Sequence, residues 1–273
     1  MKLLDFRSNY TSQCGQDGVL AKVFDVLGIR SGYCVEFGAW DGLYLSNTRQ
    51  WLQSPQFSGC LIEGDHVRFQ ALKKLYGTRT DVHTINTFVS IDGENSLDSI
   101  LQRVGAPVDF DLLSIDIDCD DYHIWSSLQH FKPKLVLIET NPYIPFYVEY
   151  VQKKNLGRYP IGASVVSMYK LAIAKGYQPI CYIGHDWLCL RKDLLPAFDL
   201  DTMACIPMFL AGSDVRNNDL MAHGNIIPLP TGPASERQVN INDIVYRGIA
   251  PSFEEFAQEF RVLTSPSDFA SLL

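Results

Sequence analysis

Short apolar runs alternate with helix-length stretches from about residue 16 to about residue 192. The runs fall at 33–37, 58–63, 82–89, 110–118, 134–139, 178–183 and 187–191. Between them, 16–27, 46–54, 65–76, 95–104, 121–130 and 162–175 carry helical spacing. Strands alternating with helices predict a mostly parallel sheet with crossover helices, an α/β, Rossmann-like fold. The last two runs are separated only by Gly184-His185-Asp186, too short for a crossover and suited to a hairpin. The expectation is therefore a seven-stranded sheet, mostly parallel, that ends in an antiparallel C-terminal hairpin. An ordinary nicotinamide-binding domain does not predict that ending.

Past residue 193 the text changes. Seven of the fourteen prolines lie between Pro196 and Pro266, and only 252–260 looks helical, with a capping box at Ser252 and Glu255. Residues 1–192 read as one domain, and 193–273 as an irregular C-terminal extension packed on its core, a substrate lid or a homo-oligomer contact.

Composition narrows the function. With 273 residues and 47% hydrophobic content the chain buries a full core. No apolar run approaches the roughly 20 residues of a membrane span, and the first residues lack the apolar core of a signal peptide, so the expected compartment is the cytoplasm. Seven scattered cysteines, without a Cys-x-x-Cys pair, read as reduced core residues and not as a disulfide frame or zinc site. A net charge of −8 opposes a nucleic-acid partner.

Candidate chemistry begins at the first strand, which runs into Glu36-Phe37-Gly38-Ala39-Trp40-Asp41-Gly42. The two glycines permit left-handed backbone and close approach by a ligand over a strand end. The Gly-x-Gly-x-x-Gly pattern of pyrophosphate binding is absent, against NAD or FAD. Glu36 is placed to accept from a cationic amino-acid group, directly or through water. Glu63, at the end of the second strand and 21 residues after Gly42, suits a ribose diol.

These features belong to a wider pattern. Ser12-Gln13-Cys14-Gly15-Gln16-Asp17, then Val35-Glu36-Phe37-Gly38-Ala39-Trp40-Asp41-Gly42 with Ser46-Asn47-Thr48, then Leu113-Ser114-Ile115-Asp116-Ile117-Asp118, resemble the FkbM-type methyltransferases. The resemblance spans roughly residues 12–192, and the Ser-Gln-x-Gly-Gln-Asp head and the Ser-Asn-Thr run are its most specific parts. It implies a class I, Rossmann-like enzyme dependent on S-adenosylmethionine (SAM), with Glu36, Gly38, Ala39, Asp41, Gly42, Asn47, Glu63 and Asp116 around the cofactor. It further implies O-methylation of a carbohydrate or sugar nucleotide in a polysaccharide-type pathway. Two positions depart from the pattern: Cys119 stands where it has glycine, and Asp120 where it has asparagine.

The acceptor end is sought at Asp116, Asp118, Asp120 and Asp121, four carboxylates in six residues that repel one another unless a cation, protons or solvent intervene. Strand alternation puts Asp116 and Asp118 on one face. With Glu139 and Asn141 at the end of the next strand they make an all-oxygen set for Mg²⁺ or Ca²⁺, similar to the layout of metal-dependent catechol-type and macrolide-sugar O-methyltransferases. Without a metal, Asp116 contacts SAM or a backbone amide, Asp118 acts as a base, and the outer two are solvated. His123, or His185 in the hairpin turn, is a further candidate proton acceptor, with packing as the alternative for both; Gln13 and Gln16 are candidates for ligand contact. The aromatic stretch 143–147 suits a substrate wall or core packing, and Asn141-Pro142-Tyr143 is half of a motif of amino-methylating enzymes. Two rivals to O-methylation therefore stand: N-methylation of an amine or nucleobase, and a catalytically silent module that serves assembly.

Overall fold

A computed structural model describes residues 1–141, 144, 148–154, 162–198 and 261–262. In chain order the elements are α1 (Gln16–Val26), β1 (Gly32–Phe37), α2 (Arg49–Leu52), β2 (Phe57–Glu63), α3 (His66–Tyr76), β3 (Val82–Asn86), α4 (Leu97–Arg103) and β4 (Leu112–Ile115). They continue with α5 (Asp121–Ser127), β5 (Leu135–Glu139), β6 (Val148–Glu149), α6 (Val165–Ala174), β7 (Tyr177–Ile183), β8 (Asp186–Arg191) and β9 (Arg261–Val262). Single 3₁₀ helices cover Leu3–Phe6 and Lys192–Ala197.

Seven strands form one sheet in the order β3-β2-β1-β4-β5-β8-β7. The first five are parallel, and β8 runs antiparallel to both β5 and β7. This is an α/β, Rossmann-like fold, with the antiparallel ending that the short 184–186 link predicts. The chain winds outward from β1 to β3 and then returns to place β4 on the other side of β1. The loops after β1 and β4 thus diverge over a crevice at the carboxyl ends of the strands, where open α/β sheets take ligands.

Alternation along the strands divides the core into two faces. Val35, Phe37, Leu113, Ile115, Val136 and Ile138 point to one side and pack with Leu97, Ile100, Ile124, Trp125 and Met168 from α4, α5 and α6. Cys34, Leu112, Leu135 and Leu137 point to the other and pack with Val19, Leu20, Val23, Trp51, Leu52 and Leu72 from α1, α2 and α3. Both faces being covered explains why these strands lack a polar alternation. Cys34, Cys60, Cys181 and Cys189 are all buried. Local capping starts three helices, since the side chains of Asp65, Ser96 and Ser164 accept from the amides of Arg68, Ser99 and Ser167.

Several boundaries differ from the sequence expectation. The helix expected at 46–54 shrinks to Arg49–Leu52, because Ser46 and Thr48 turn their hydroxyls onto Glu36 instead of entering a helix. The strands expected to reach 89 and 118 stop at Asn86 and Ile115, as the chain turns out of the sheet into the crevice. Strands β6 and β9, an antiparallel pair, have no sequence signal at two residues each.

Leu194, Leu195 and Phe198 pack against the second core face. The remainder of the expected extension, including its 252–260 helix, lies outside the described residues apart from β9, as does the 143–147 stretch apart from buried Ile144. Among the described residues, no helix is long and apolar enough to cross a membrane.

Candidate functional site

A cavity of about 620 Å³ opens at the carboxyl ends of β1, β2, β4 and β5. Its wall contains Glu36, Gly38, Ala39, Asn47, Glu63, Asp116, Asp118 and Glu139, all singled out in the sequence. Asp41, Gly42, His123 and Asn141 are not in that wall.

The turn after β1 is built around two buried carboxylates. Glu36 accepts from Ser46 Oγ at 2.7 Å, Thr48 Oγ1 at 2.6 Å and the Asn47 amide at 2.7 Å. The Ser-Asn-Thr run is therefore the partner set of Glu36. Burial raises the Glu36 carboxyl's pKa, and these three donors oppose the rise. Glu63 accepts from the Trp40 amide and the Asp65 amide, both at 2.7 Å, and so ties the β1 turn to the end of β2. Asp41 closes a local turn by accepting from the amides of Leu43 and Tyr44.

The glycines take the left-handed backbone that the sequence suggests, and they also admit close packing by the protein itself. Gly38 and Gly42 sit at φ +79° and +74°. A Cβ on Gly38 would lie 1.8 Å from the Asp116 carbonyl, and one on Gly42 would lie 2.6 Å from Leu72 Cδ1. The close approach is made by the segment just after β4 and by α3.

Asp116 and Asp118 are brought together by a turn, not by strand alternation. The strand has ended at Ile115, and Asp118 takes the left-handed φ of 66°. Carboxylate oxygens of Asp116, Asp118 and Glu139 lie within 4.8 Å of one another. Behind them Glu139 pairs across the sheet with buried Asp186. Burial first, and then mutual repulsion, raises the pKa of Asp116, Glu139 and Asp186.

Asp121 is buried, contrary to the expectation of a solvated outer acid. It accepts from the amides of Ile117 at 2.9 Å and Cys119 at 3.0 Å, so it shapes the loop. Burial outweighs those bonds and pushes its pKa up to about 7.

The histidines separate. His123 lies on α5 and its Nε2 donates to the Gln152 carbonyl at 2.6 Å, a packing role away from the cavity wall. His185 lines the cavity, as does Gln13, whose Nε2 stands 3.3 Å from His185 Nε2. The N-terminal head is explained by the same region. Asp17 Oδ2 gathers the amides of Tyr10, Thr11 and Ser12 at 2.7–2.8 Å, and Gln16 Nε2 donates to Asp186.

Sequence reasoning gave no site role to Trp40, Tyr44, Leu45, Arg68 or Phe88, which also line the wall. Arg68 places its guanidinium 3.3 Å from the centre of the Trp40 ring. Trp40 and Leu45 are non-glycine residues at φ 49° and 56°. Left-handed strain collected at one cavity marks a functional surface, but it leaves no trace in periodicity.

Two buried acceptors in the wall, Asn47 Oδ1 and Asp120 Oδ1, have no hydrogen-bond partner among the described residues. Ligand donors would satisfy them. The wall carries six carboxylates (Glu36, Glu63, Asp116, Asp118, Asp120 and Glu139) against the single guanidinium of Arg68. Such a surface suits a cationic ligand.

No family model and no curated protein matches the chain. Solved structures similar to it include CurJ carbon methyltransferase, at 10% identity over 66% of this chain and 54% of that chain with a TM-score of 0.45. The N-terminal domain of EvdMO1 with SAH bound is similar at 11% identity over 66% and 80%, TM-score 0.41. A SAM-dependent methyltransferase from Aquifex aeolicus is similar at 10% identity over 63% and 89%, TM-score 0.37. The chain spans little more than half the length of the CurJ chain.

Proposed function

We propose that the protein is a SAM-dependent O-methyltransferase acting on a hydroxyl of a carbohydrate or sugar nucleotide. The observation that carries the proposal is the acid-rich cavity at the switch point of a methyltransferase-type sheet, with six carboxylates and one arginine in its wall. SAM supplies an electrophilic methyl group on a sulfonium, and its amino-acid end carries an ammonium. Both positive centres suit this wall. Glu63 stands where a ribose diol is expected, and Asn47 Oδ1 is a buried acceptor open to a ligand donor. Glu36, already holding three donors, shapes the turn.

The acceptor belongs at Asp116, Asp118 and Glu139. Three clustered carboxylates, of which Asp116 and Glu139 have a raised pKa, suit a hard divalent ion such as Mg²⁺. Asp116, Asp118 and Glu139 would hold such an ion, which would supply Lewis-acid polarisation of an acceptor hydroxyl. Asn141 is not part of that cavity wall, so the proposed set is the three acids. The sugar acceptor itself rests on the FkbM resemblance. The same acidic end also suits an amine, which favours N-methylation as the second reading.

Calorimetry with SAM and S-adenosylhomocysteine (SAH) tests the first step. Binding of at least one of them at micromolar to millimolar concentration is expected, and no heat with either removes the proposal. A mass-shift screen of methyl hexosides, amino hexosides and sugar nucleotides then separates oxygen from nitrogen acceptors.

A further inference from the structure

We infer that His185 is the base that removes the proton from the acceptor's reacting atom, and that Gln13 is its positioning residue; the inference rests on the methyl-transfer reading above. The imidazole lines the same cavity as Asp116, Asp118 and Glu139. It is carried at the tip of the β7–β8 hairpin, and the tip is pinned. The amide and hydroxyl of Thr140 both donate to the His185 carbonyl, at 2.8 and 2.9 Å, and the next residue, Asp186, pairs in register with Glu139. The imidazole is thus held beside the ends of β5 and β8, at the acceptor end of the cavity.

The N-terminal head secures the other side. The Gln13 amide donates to Gln16 Oε1 at 3.2 Å, Gln16 Nε2 donates to Asp186, and the side chain of Gln13 meets the imidazole. At Gly184 an added Cβ would come within 2.6 Å of Cys14 Sγ, so the head lies directly against the hairpin tip. In the tautomer with the proton on Nδ1, the Gln13 side-chain amide donates to Nε2 and so fixes the ring within the wall that both residues line. A hydroxyl that replaces the amide then meets the Nε2 lone pair.

Charge favours the imidazole over its neighbours. The acids themselves form a tight cluster better matched to a cation. His123, the other histidine candidate, has its Nε2 on the Gln152 carbonyl. In the step, the acceptor O–H or N–H bond breaks and its proton passes to the His185 ring. The acceptor lone pair bonds to the methyl carbon, and the electron pair of the broken carbon–sulfur bond stays on sulfur, which becomes a neutral thioether. The half-buried imidazolium afterwards gives its proton to solvent.

The test compares wild type, His185→Ala, His185→Gln and Gln13→Ala, first for SAH affinity and melting temperature and then for turnover of an acceptor found in the mass-shift screen. Both His185 variants should lose about 10²–10⁴-fold in kcat while SAH affinity stays within about twofold. Added imidazole should restore turnover of His185→Ala in a saturable way, and Gln13→Ala should show a smaller kcat loss with KM little changed. If His185→Ala folds poorly, His185→Gln carries the comparison. Turnover within about threefold of wild type, or a loss that follows SAH affinity and ignores imidazole, overturns the assignment of His185. Wild type that binds neither SAM nor SAH overturns the methyl-transfer reading itself, and this inference with it.

Discussion

At Gly38 a single hydrogen atom decides whether the turn after β1 can meet the segment just after β4. The Asp116 carbonyl occupies the space a Cβ would need, and the backbone is left-handed, so two independent penalties fall on any side chain there. Gly38→Ala is expected to cost more than about 2 kcal/mol, the range of severe single-site changes, and to weaken SAH binding because Asp116 must move. Urea unfolding monitored by circular dichroism checks this; an unchanged midpoint contradicts the geometry. The sequence already marked this glycine, for left-handed backbone and a ligand's approach, yet not for a neighbouring segment's. A one-dimensional pattern states that space is required without naming the occupant.

At the scale of elements, the start of α5 shows how burial sets a pH response. Asp121 ties down the amides of Ile117 and Cys119 but has its pKa pushed to about 7, above the roughly 4 of an unfolded aspartate. Between those values the folded chain holds a proton that the unfolded chain has released. Stability is therefore fully present below about pH 4, falls as pH rises towards about 7, and levels off beyond. Asp186, raised in the same direction by burial and by Asp116, adds to the fall. Denaturant midpoints from pH 4 to 8 should show this decline, and Asp121→Asn should flatten it; a midpoint that rises across that interval contradicts the assignment. The head before α1 illustrates the converse case of legibility. Its residue types stood out in the sequence, but that Asp17 gathers three amides and Gln16 reaches Asp186 across 170 positions is a tertiary fact.

For the whole molecule, negative charge is concentrated where the strands end. A net charge of −8 shows only that polyanions are poor partners; the fold gathers Asp116, Asp118 and Glu139 from two strand ends into one cluster. Mg²⁺ or Mn²⁺ at 100 times its dissociation constant should stabilise the protein by about 2.7 kcal/mol, more at pH 8 than at pH 5, where protons compete for the same oxygens. Glu139→Gln should abolish the shift. Thermal melts with chelator and ion add-back provide the measurement, and identical melts in every condition would remove the metal from the proposal.

The sequence by itself determined the strand and helix plan, the hairpin ending, and the turn, acids and head from which the site is made. Those features are local: apolar runs must be buried, and a three-residue link cannot carry a crossover. Tertiary structure alone decided that Glu36 is closed by Ser46, Asn47 and Thr48, that Trp40, Arg68 and Phe88 complete the wall, that a left-handed turn brings Asp118 to Asp116, and that His185 faces the cavity while His123 does not. Each of these depends on which distant segments the sheet order brings side by side, and spacing along a chain does not record that.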